Sequence, residues 1–202
     1  MHTYMKEFNI IISGVGGQGV ITLTRILAKA AVLNGYDVKT SELHGLSQKG
    51  GSVETHIRFG ALTGAKQIHS PLIEKGKADL IICIEAQESL KSYIYGSKKS
   101  GTIFLINDFI KPILGSKIIP QTKDILEETK RFSKKSMSIP ASKITKEKLG
   151  KEVLSGVYIL GYAASKKLLP LETKFILESI KKTVPKKYFL LNKKAFDLAN
   201  YD

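Results

Sequence analysis

The stretch Phe8-Asn9-Ile10-Ile11-Ile12-Ser13-Gly14-Val15-Gly16-Gly17-Gln18-Gly19 decides the fold, and a helical pattern begins directly after it. The apolar residues between positions 8 and 12 are β-branched or aromatic and too few for a helix, so they predict a short buried parallel strand. From Val20 to Asn34 apolar residues recur at the spacing of a helix, and Gly35 is a typical helix stop. The chain is therefore expected to pass from strand to helix through a glycine-rich turn.

The glycine-rich turn has the spacing of a phosphate-binding loop. Gly14, Gly16 and Gly19 follow the pattern G-x-G-x-x-G, in which the glycines allow a tight turn, close approach of a ligand and helix-on-strand packing. Gly17 adds freedom to adopt a positive φ, and Gln18 completes the loop. The helix that follows presents free N–H groups and roughly half a positive charge. The loop is predicted to bind an anion or nucleotide, and a tight corner without a ligand is the structural alternative.

Length and composition set the broad class. The chain has 202 residues, 43% of them apolar, and no apolar run long enough to cross a membrane, so we expect one main domain that is soluble, cytoplasmic and without a membrane partner. The net charge is +14, but only three of the 32 basic residues are arginine, and no nucleic-acid-binding motif is present. Nucleic acid is therefore not an expected partner, and the lysines are expected to form a solvated surface or to attract an acidic protein.

Strand and helix patterns alternate along the first three quarters of the chain. Further strands are predicted near 37–41, 53–59, 80–84, 102–106 and 136–139, with helices near 87–95 and 122–132. After Gly150 the pattern is helical, near 153–168, 172–183 and 192–200. This order predicts an α/β fold, namely a three-layer, Rossmann-like, doubly wound and mainly parallel sheet with C-terminal helices. We expect a single domain with an α/β core over 1–150 and a helical part over 151–202.

Several polar residues lie near the ends of predicted strands, where ligands bind in such sheets. Glu42 falls where dinucleotide folds place a ribose-binding acid, and Glu85 and Asn107 follow later strands, so all three could share a crevice with the glycine loop. A solvent-exposed glutamate is the alternative at position 42. Arg58 lies on the polar side of the third strand, where it is either a phosphate or carboxylate clamp or a structural ion pair with Glu54 or another acid.

A second glycine-rich loop joins the second and third strands. It is polar and longer than a simple hairpin turn, which is typical of loops that hold a ligand. Its candidate binding residues are Ser47, Gln48, Lys49, Gly50 and Gly51.

Catalytic motifs are scarce in this sequence. It contains no G-x-S-x-G, H-E-x-x-H or P-loop lysine and no thiamine-diphosphate motif, and its four histidines fit no common metal pattern, so ordinary hydrogen-bonding roles are expected for them. The single Cys83 lies in an apolar strand and cannot by itself supply the thiolates of an iron–sulfur cluster. We therefore predict no catalytic residue and no metal ligand, and interpret the chain as a binding and positioning subunit of a larger enzyme.

Two motifs in order, Gly14–Gly19 and then Glu42–Val53, resemble the beta subunit of indolepyruvate ferredoxin oxidoreductase. That subunit is similar to the gamma domain of pyruvate and other 2-oxoacid ferredoxin oxidoreductases. The resemblance spans nearly the whole chain, with further agreement at Arg58, Ala78-Asp79, Glu85, Asn107, Pro112 and 185–196. The sequence departs from the family pattern at Lys49, where arginine is usual, and at Ser155, where asparagine is common. Lysine lacks the planar fork of arginine, which weakens a clamp role at position 49.

The resemblance implies oxidative decarboxylation of an aryl 2-oxoacid with coenzyme A, which yields acyl-CoA, carbon dioxide and reduced ferredoxin. It also implies that a partner alpha subunit carries thiamine diphosphate, magnesium and the 4Fe-4S clusters, while this chain holds no cofactor alone. The loops of this chain would contact coenzyme A phosphates or the partner's cofactor region. Two other hypotheses stay open: a free-standing NAD(P)- or FAD-binding oxidoreductase, and a scaffold without a ligand.

Overall fold

The structure is a computed structural model that describes residues 7–45, 50–62, 67–111 and 120–200. Six strands in this part of the chain form one sheet: β1 (Phe8–Val15), β2 (Asp37–His44), β3 (Ser52–Gly60), β4 (Leu80–Cys83), β5 (Ile103–Asn107) and β6 (Lys135–Ile139). The α-helices are α1 (Val20–Leu33), α2 (Ser89–Ser92), α3 (Thr122–Lys130), α4 (Ala141–Leu149), α5 (Ser155–Ser165), α6 (Thr173–Thr183) and α7 (Phe189–Leu198). Short 3₁₀ turns cover Ala86–Glu88, Tyr93–Tyr95, Glu152–Leu154 and Lys186–Tyr188.

The sheet has the strand order β2-β3-β1-β4-β5-β6. The pairings of β1 with β4, β4 with β5 and β5 with β6 are parallel, whereas β3 is antiparallel to both of its neighbours, β1 and β2. The predicted α/β class with a mainly parallel sheet is confirmed. The antiparallel β3 lies between β1 and β2, and this insertion determines which predicted site residues can meet.

Both faces of the sheet are buried, which makes the fold three-layered. Ile10 and Ile12 of β1 are fully buried in the larger core cluster with helix α1 and the C-terminal helices, and Ile11 is fully buried in a smaller cluster on the other face. This division follows from the alternation of side chains along a strand. Each such isoleucine contributes about 1.5–3 kcal/mol through burial. The residues from Ile10 to Ile12 are all apolar because β1 is covered by a core on both faces of the sheet.

The C-terminal helices complete one layer of the core. The Ser179 hydroxyl of α6 donates to the Ile26 carbonyl of α1 at 2.6 Å. A methyl group added at Gly161 of α5 would collide with the Phe196 carbonyl of α7. The small residue thus lets these two helices approach closely, and the helical region predicted after Gly150 is confirmed.

The structure differs from the predicted elements in two places. The helix expected near 87–95 is split into a 3₁₀ turn, the short α2 and a second 3₁₀ turn. Helix α4 was not predicted, because its lysine-rich sequence carries few apolar residues, and only Ala141, Ser142 and Thr145 are buried. It ends at Gly150, whose φ of 68° suits glycine. No helix in the described ranges is long and apolar enough to cross a membrane.

Candidate ligand site at the carboxyl edge of the sheet

The first glycine loop joins β1 to α1 at the edge where the parallel strands end, which we call the carboxyl edge. Gly17 and Gly19 have φ angles of 100° and 84°, a region that glycine adopts without strain. A Cβ on Gly14 would lie 2.8 Å from Cγ2 of Val20 and 3.2 Å from Cβ of Ile84. Gly14 is therefore required for strand–helix packing, whereas Gly17 and Gly19 are required for the turn itself.

The loop is braced by one of its own side chains. The Oε1 atom of Gln18 accepts a hydrogen bond from the backbone N–H of Val15 at 2.8 Å, and the Gln18 N–H donates to the Val15 carbonyl at 3.0 Å. Gly19 is the N-cap residue of α1, and the first turn of the helix contains no acidic residue. The N–H groups of that turn have no intrahelical acceptor, so the N-terminus of the helix presents partial positive charge at the loop.

The two glycine-rich loops are joined by backbone hydrogen bonds. The Gly16 N–H donates to the Gly51 carbonyl at 2.8 Å, and the Gly50 N–H donates to the Gly16 carbonyl at 3.4 Å. These contacts continue the antiparallel pairing of β1 with β3 beyond Val15 and Ser52. We call this contact the loop junction (Gly16, Gly50 and Gly51). The predicted residues Ser47, Gln48 and Lys49 lie outside the described residues.

Glu85 and Asn107 lie at the carboxyl edge as predicted, but their polar atoms are engaged within the protein. The carboxylate of Glu85 accepts hydrogen bonds from the N–H groups of Glu88 and Lys111, both at 3.0 Å. Burial raises the pKa of Glu85, although these N–H donors partly oppose the rise. The side-chain amide of Asn107 donates to the Ile84 carbonyl at 2.9 Å and to Ser142 Oγ at 2.8 Å. Both residues therefore use their polar atoms to hold neighbouring segments at the carboxyl edge together.

Glu88 is a supporting residue that the sequence analysis missed. Its carboxylate is buried and accepts a hydrogen bond from the Ser52 hydroxyl, next to the loop junction. The other carboxylate oxygen lies 2.7 Å from Nζ of Lys91. Glu88 therefore holds the start of β3 in place. In the sequence, its position three residues after Glu85 was the signal that could have marked it as a second acid at this edge.

The structure does not bring Glu42 to the first glycine loop. Glu42 pairs with Thr55, which in turn pairs with Ile12 of β1, so β3 separates Glu42 from β1 by about 10 Å, or two strand spacings. In dinucleotide folds the strand that carries the ribose-binding acid lies directly beside the first strand. Glu42 is exposed on β2, the outermost strand on that side of the sheet. The solvent-exposed glutamate, which was the alternative to a ribose contact, is therefore what the structure has at this position.

Arg58 also lies away from the glycine loops. It pairs with Asn9 at the start of β1, at the opposite edge of the sheet, which we call the amino edge. Its guanidinium donates to Asn9 Oδ1 at 3.0 Å, to Glu7 at 2.9 Å and to the Ser70 and Leu72 carbonyls at 3.0 and 3.1 Å. The structural ion pair is thus present, with Glu7 as the acid.

Glu54 instead pairs with His56. The Nε2 atom of His56 lies 3.4 Å from the Glu54 carboxylate, while Nδ1 accepts the Ile73 N–H at 3.0 Å. Burial pushes the pKa of Glu54 upward, but hydrogen bonds from His56, Ser92 and Tyr95 outweigh that effect and the pKa is lowered. His56 is buried and has the ordinary hydrogen-bonding role that was expected of the histidines.

A cavity of about 340 Å³ opens beside the first glycine loop. Gln18, Gly19 and Thr22 form one wall, and Lys151 and Asn192 add polar groups to walls that are otherwise mainly apolar. Asn192 is largely buried, and its Nδ2 donates to the Tyr188 carbonyl at 2.9 Å. The C-terminal segment thus adds a second surface to the site, which periodicity alone did not predict.

The residues present do not fit an iron–sulfur cluster. Cys83 is fully buried, its sulfur accepts a hydrogen bond from the Ser13 hydroxyl at 3.3 Å, and burial raises its pKa to about 12. Within the described ranges no group of three or more histidine, cysteine, aspartate or glutamate side chains could hold a metal ion.

The described part of the chain is a mixed, mainly parallel sheet that carries two glycine loops joined by backbone hydrogen bonds. The family model described as pyruvate ferredoxin/flavodoxin oxidoreductase matches residues 9–200, and the chain belongs to this family. The resemblance stated from the two motifs is therefore confirmed. The chain is related to the small subunits of 2-oxoacid ferredoxin oxidoreductases.

Curated relatives of this chain carry the name indolepyruvate oxidoreductase subunit IorB. The protein from Pyrococcus horikoshii is 37% identical over 199 residues, which cover 96% of this chain and 95% of the relative. The protein from Thermococcus kodakarensis is 37% identical over 200 residues, with the same coverage of both chains.

Two solved structures share the fold. One is the gamma subunit of a keto/oxoacid ferredoxin oxidoreductase from Geobacter sulfurreducens, with a TM-score of 0.65, 20% identity and 96% coverage of both chains. The other is 2-oxoglutarate:ferredoxin oxidoreductase from Magnetococcus marinus, with 2-oxoglutarate, coenzyme A and succinyl-CoA bound. Its TM-score is 0.71 at 18% identity, and the match covers 98% of this chain and 31% of that one.

Proposed function

We propose that this chain is the small subunit of an indolepyruvate, or more generally arylpyruvate, ferredoxin oxidoreductase. The complex would decarboxylate the 2-oxoacid oxidatively and transfer the acyl group to coenzyme A, with the electrons passing to ferredoxin. The names of relatives that are 37% identical over 96% of this chain support this substrate class. Thiamine diphosphate, magnesium and 4Fe-4S clusters on a partner alpha subunit would supply the decarboxylation and the electron transfer.

The role of this chain in the complex would be to bind and position coenzyme A. The observation that carries this proposal is the loop junction, where the Gly16–Gly51 hydrogen bond of 2.8 Å holds two glycine loops beside the N-terminus of α1. Phosphate groups are strong hydrogen-bond acceptors and favour helix N-termini. The neighbouring apolar cavity of about 340 Å³ would take an uncharged part of the same ligand. Binding in this way would hold the thiol at a fixed distance from the partner's active centre.

Reconstitution tests this function directly. The purified chain, its alpha subunit, indolepyruvate, coenzyme A and an oxidised viologen dye are mixed, and dye reduction is followed. We expect rapid reduction with both subunits and a large loss when either subunit or coenzyme A is left out. An alpha subunit that is equally active alone would contradict the proposal.

A free-standing nicotinamide or flavin enzyme is disfavoured by the strand order. Because β3 lies between β1 and β2, Glu42 is not beside the first loop as a ribose contact requires. Calorimetry of the isolated chain with NAD, NADP and FAD is expected to show no binding at micromolar concentrations. Tight binding of any of them would favour the alternative function.

A further inference from the structure

The segment after β5 runs back across the carboxyl edge toward the loop junction. This segment begins after Asn107. The Phe109 carbonyl accepts a hydrogen bond from the Ala86 N–H at 2.9 Å, so Phe109 lies next to the residues that follow β4. The next strand in that direction is β1, whose loop carries the junction. Lys111 therefore lies on the stretch of chain that runs from the end of β5, past β4, toward the glycine loops.

The ammonium group of Lys111 lies beside the second glycine loop. A Cβ built on Gly50 would lie 3.9 Å from Nζ of Lys111, and Gly50 has a φ of 79°. The Lys111 side chain is exposed, so its ammonium group is accessible to a ligand near the junction. An exposed lysine is usually a mobile surface charge, and the backbone at this position argues for a more defined role.

The backbone of Lys111 is held by a buried acid. The Lys111 N–H donates to one oxygen of Glu85 at 3.0 Å, and the other oxygen of Glu85 accepts the Glu88 N–H at 3.0 Å. Glu85 is 1% exposed, so this anchor is rigid and shielded from water. Glu88 in turn binds Ser52 beside Gly51. One pair of buried carboxylates therefore fixes both the lysine and the glycine loop.

We infer that Lys111 is a ligand-binding residue that contacts a phosphate group bound beside the loop junction, at the N-terminus of α1, and that Glu85 positions it. The inference rests on the proposed function, since it assigns that phosphate to coenzyme A. The N–H groups of Gly16 and Gly50 are used within the loop junction, so the directional hydrogen bonds to a phosphate would come from the N-terminus of α1. A helix N-terminus supplies little charge, whereas a lysine ammonium supplies a full positive charge. Together they would stabilise a doubly charged phosphate group more than either does alone.

The test uses the reconstituted complex and the variant Lys111→Met, which keeps the side-chain length and removes the charge. We expect the KM for coenzyme A to rise roughly tenfold, as for the loss of one charge-assisted hydrogen bond, while the KM for indolepyruvate stays within about twofold. Inorganic pyrophosphate, used as a competitive probe against coenzyme A, should inhibit the variant correspondingly less. Lys111→Arg keeps the charge and should restore most of the affinity.

Lys99→Met is the matched control, because Lys99 is an exposed lysine at the amino edge of the sheet. It removes the same charge and should leave both KM values unchanged. Glu85→Gln should raise the KM for coenzyme A in the same direction as Lys111→Met, with little effect on the KM for indolepyruvate. An equal rise in both KM values would indicate general damage and overturn the positioning role.

The outcomes separate this inference from the proposed function. If Gly17→Ala raises the KM for coenzyme A and Lys111→Met does not, the inference about Lys111 is wrong and the proposed function stands. If neither change affects coenzyme A, the loop junction does not bind it, and both the inference and the proposed binding site fail. A complex that reduces the dye without coenzyme A overturns the proposed function and, with it, the inference.

Discussion

The two edges of the sheet differ in how their polar groups are satisfied. At the amino edge, the Arg58 guanidinium donates to Glu7, to Asn9 and to two backbone carbonyls, and the Asn9 N–H donates to Asp79 at 2.8 Å. At the carboxyl edge, glycine backbone atoms meet at the loop junction, and the acids beneath it bind backbone N–H groups.

A dense cluster of charged side chains can be used up by structural contacts. The amino edge includes an open polar depression of about 780 Å³ lined by both acids and bases, yet its arginine is fully engaged in structural contacts. The carboxyl edge combines a helix N-terminus, whose first turn holds no acidic residue, with the exposed Lys111. We therefore expect changes at the amino edge to alter stability and changes at the carboxyl edge to alter binding.

The largest effect is expected at the amino edge. Arg58→Met should lower the free energy of unfolding by about 3 kcal/mol, because it removes a mostly buried guanidinium and leaves its acceptors without partners. Urea unfolding of the isolated chain measures the change. In the complex, the KM for coenzyme A should stay at the wild-type value.

Arg131→Met is the control for Arg58, since Arg131 is 69% exposed and forms an ion pair with the exposed Glu128. It should change the free energy of unfolding by less than about 0.5 kcal/mol. A rise in the KM for coenzyme A in the Arg58 variant would contradict the proposed division between the two edges.

At the carboxyl edge, Gly17→Ala should strain the turn and displace the loop. Its φ of 100° is unfavourable for alanine and should cost about 1–2 kcal/mol of unfolding free energy, although no atom of the described residues lies within 4 Å of the new methyl group. Steady-state kinetics of the complex should in addition show a KM for coenzyme A that is roughly tenfold higher.

Gly35→Ala provides the matched comparison, because Gly35 also has a positive φ, of 87°, and open space at the Cβ position. It lies at the far end of α1 and should lower stability by a similar amount without changing the KM for coenzyme A. Equal effects of the two variants on that KM would show that the first glycine loop has only a structural role.

Glu54, in the strand that connects the two edges, should make folding stability depend on pH. Its lowered pKa means that its carboxylate stabilises the fold above the ordinary pKa of glutamate, and that this contribution is lost as pH falls through the lowered value. Glu54→Gln should cost about 1 kcal/mol near neutral pH, and the difference from wild type should shrink in acid.

Urea unfolding at a series of pH values measures this effect. The exposed Glu147→Gln provides the control and should leave the pH dependence unchanged. A difference between the Glu54 variant and wild type that is the same at every pH would contradict the assigned cause.

The smallest effect concerns Cys83, which lies at the carboxyl edge and does not face the site. With a pKa of about 12 and full burial, the thiol should form roughly a thousandfold less thiolate than an ordinary cysteine. Iodoacetamide at pH 8 should therefore leave the folded chain unlabelled and label it in urea, as mass spectrometry would show. Rapid labelling of the folded chain would contradict the described burial.

Local patterns in the sequence predicted a large part of this molecule. The apolar run before Gly14 and the helical period after Gly19 predicted β1 and α1, because steric limits and side-chain periodicity act over a few neighbouring residues. The glycines at 14, 17 and 19 each meet a local steric demand. The two motifs in order were also sufficient to indicate the family that the comparison confirms.

Partners from distant parts of the chain could not be predicted in this way. Alternation in residues 53–59 predicted a strand but not its direction, and the antiparallel insertion of β3 moved Glu42 away from the first loop and placed Arg58 beside Asn9. Helix α4 and the acid Glu88 carried too weak a pattern to stand out.

The sequence by itself determined the strand–loop–helix unit, the mainly parallel α/β class and the lack of cluster-binding thiolates, since composition and short-range sterics suffice for these. Only the tertiary structure decided that Gly16 meets Gly51, that Glu85 holds Lys111 and that Arg58 serves the opposite edge. Strand order and direction depend on which faces bury the most apolar surface together, and that free energy is a property of the whole packed chain.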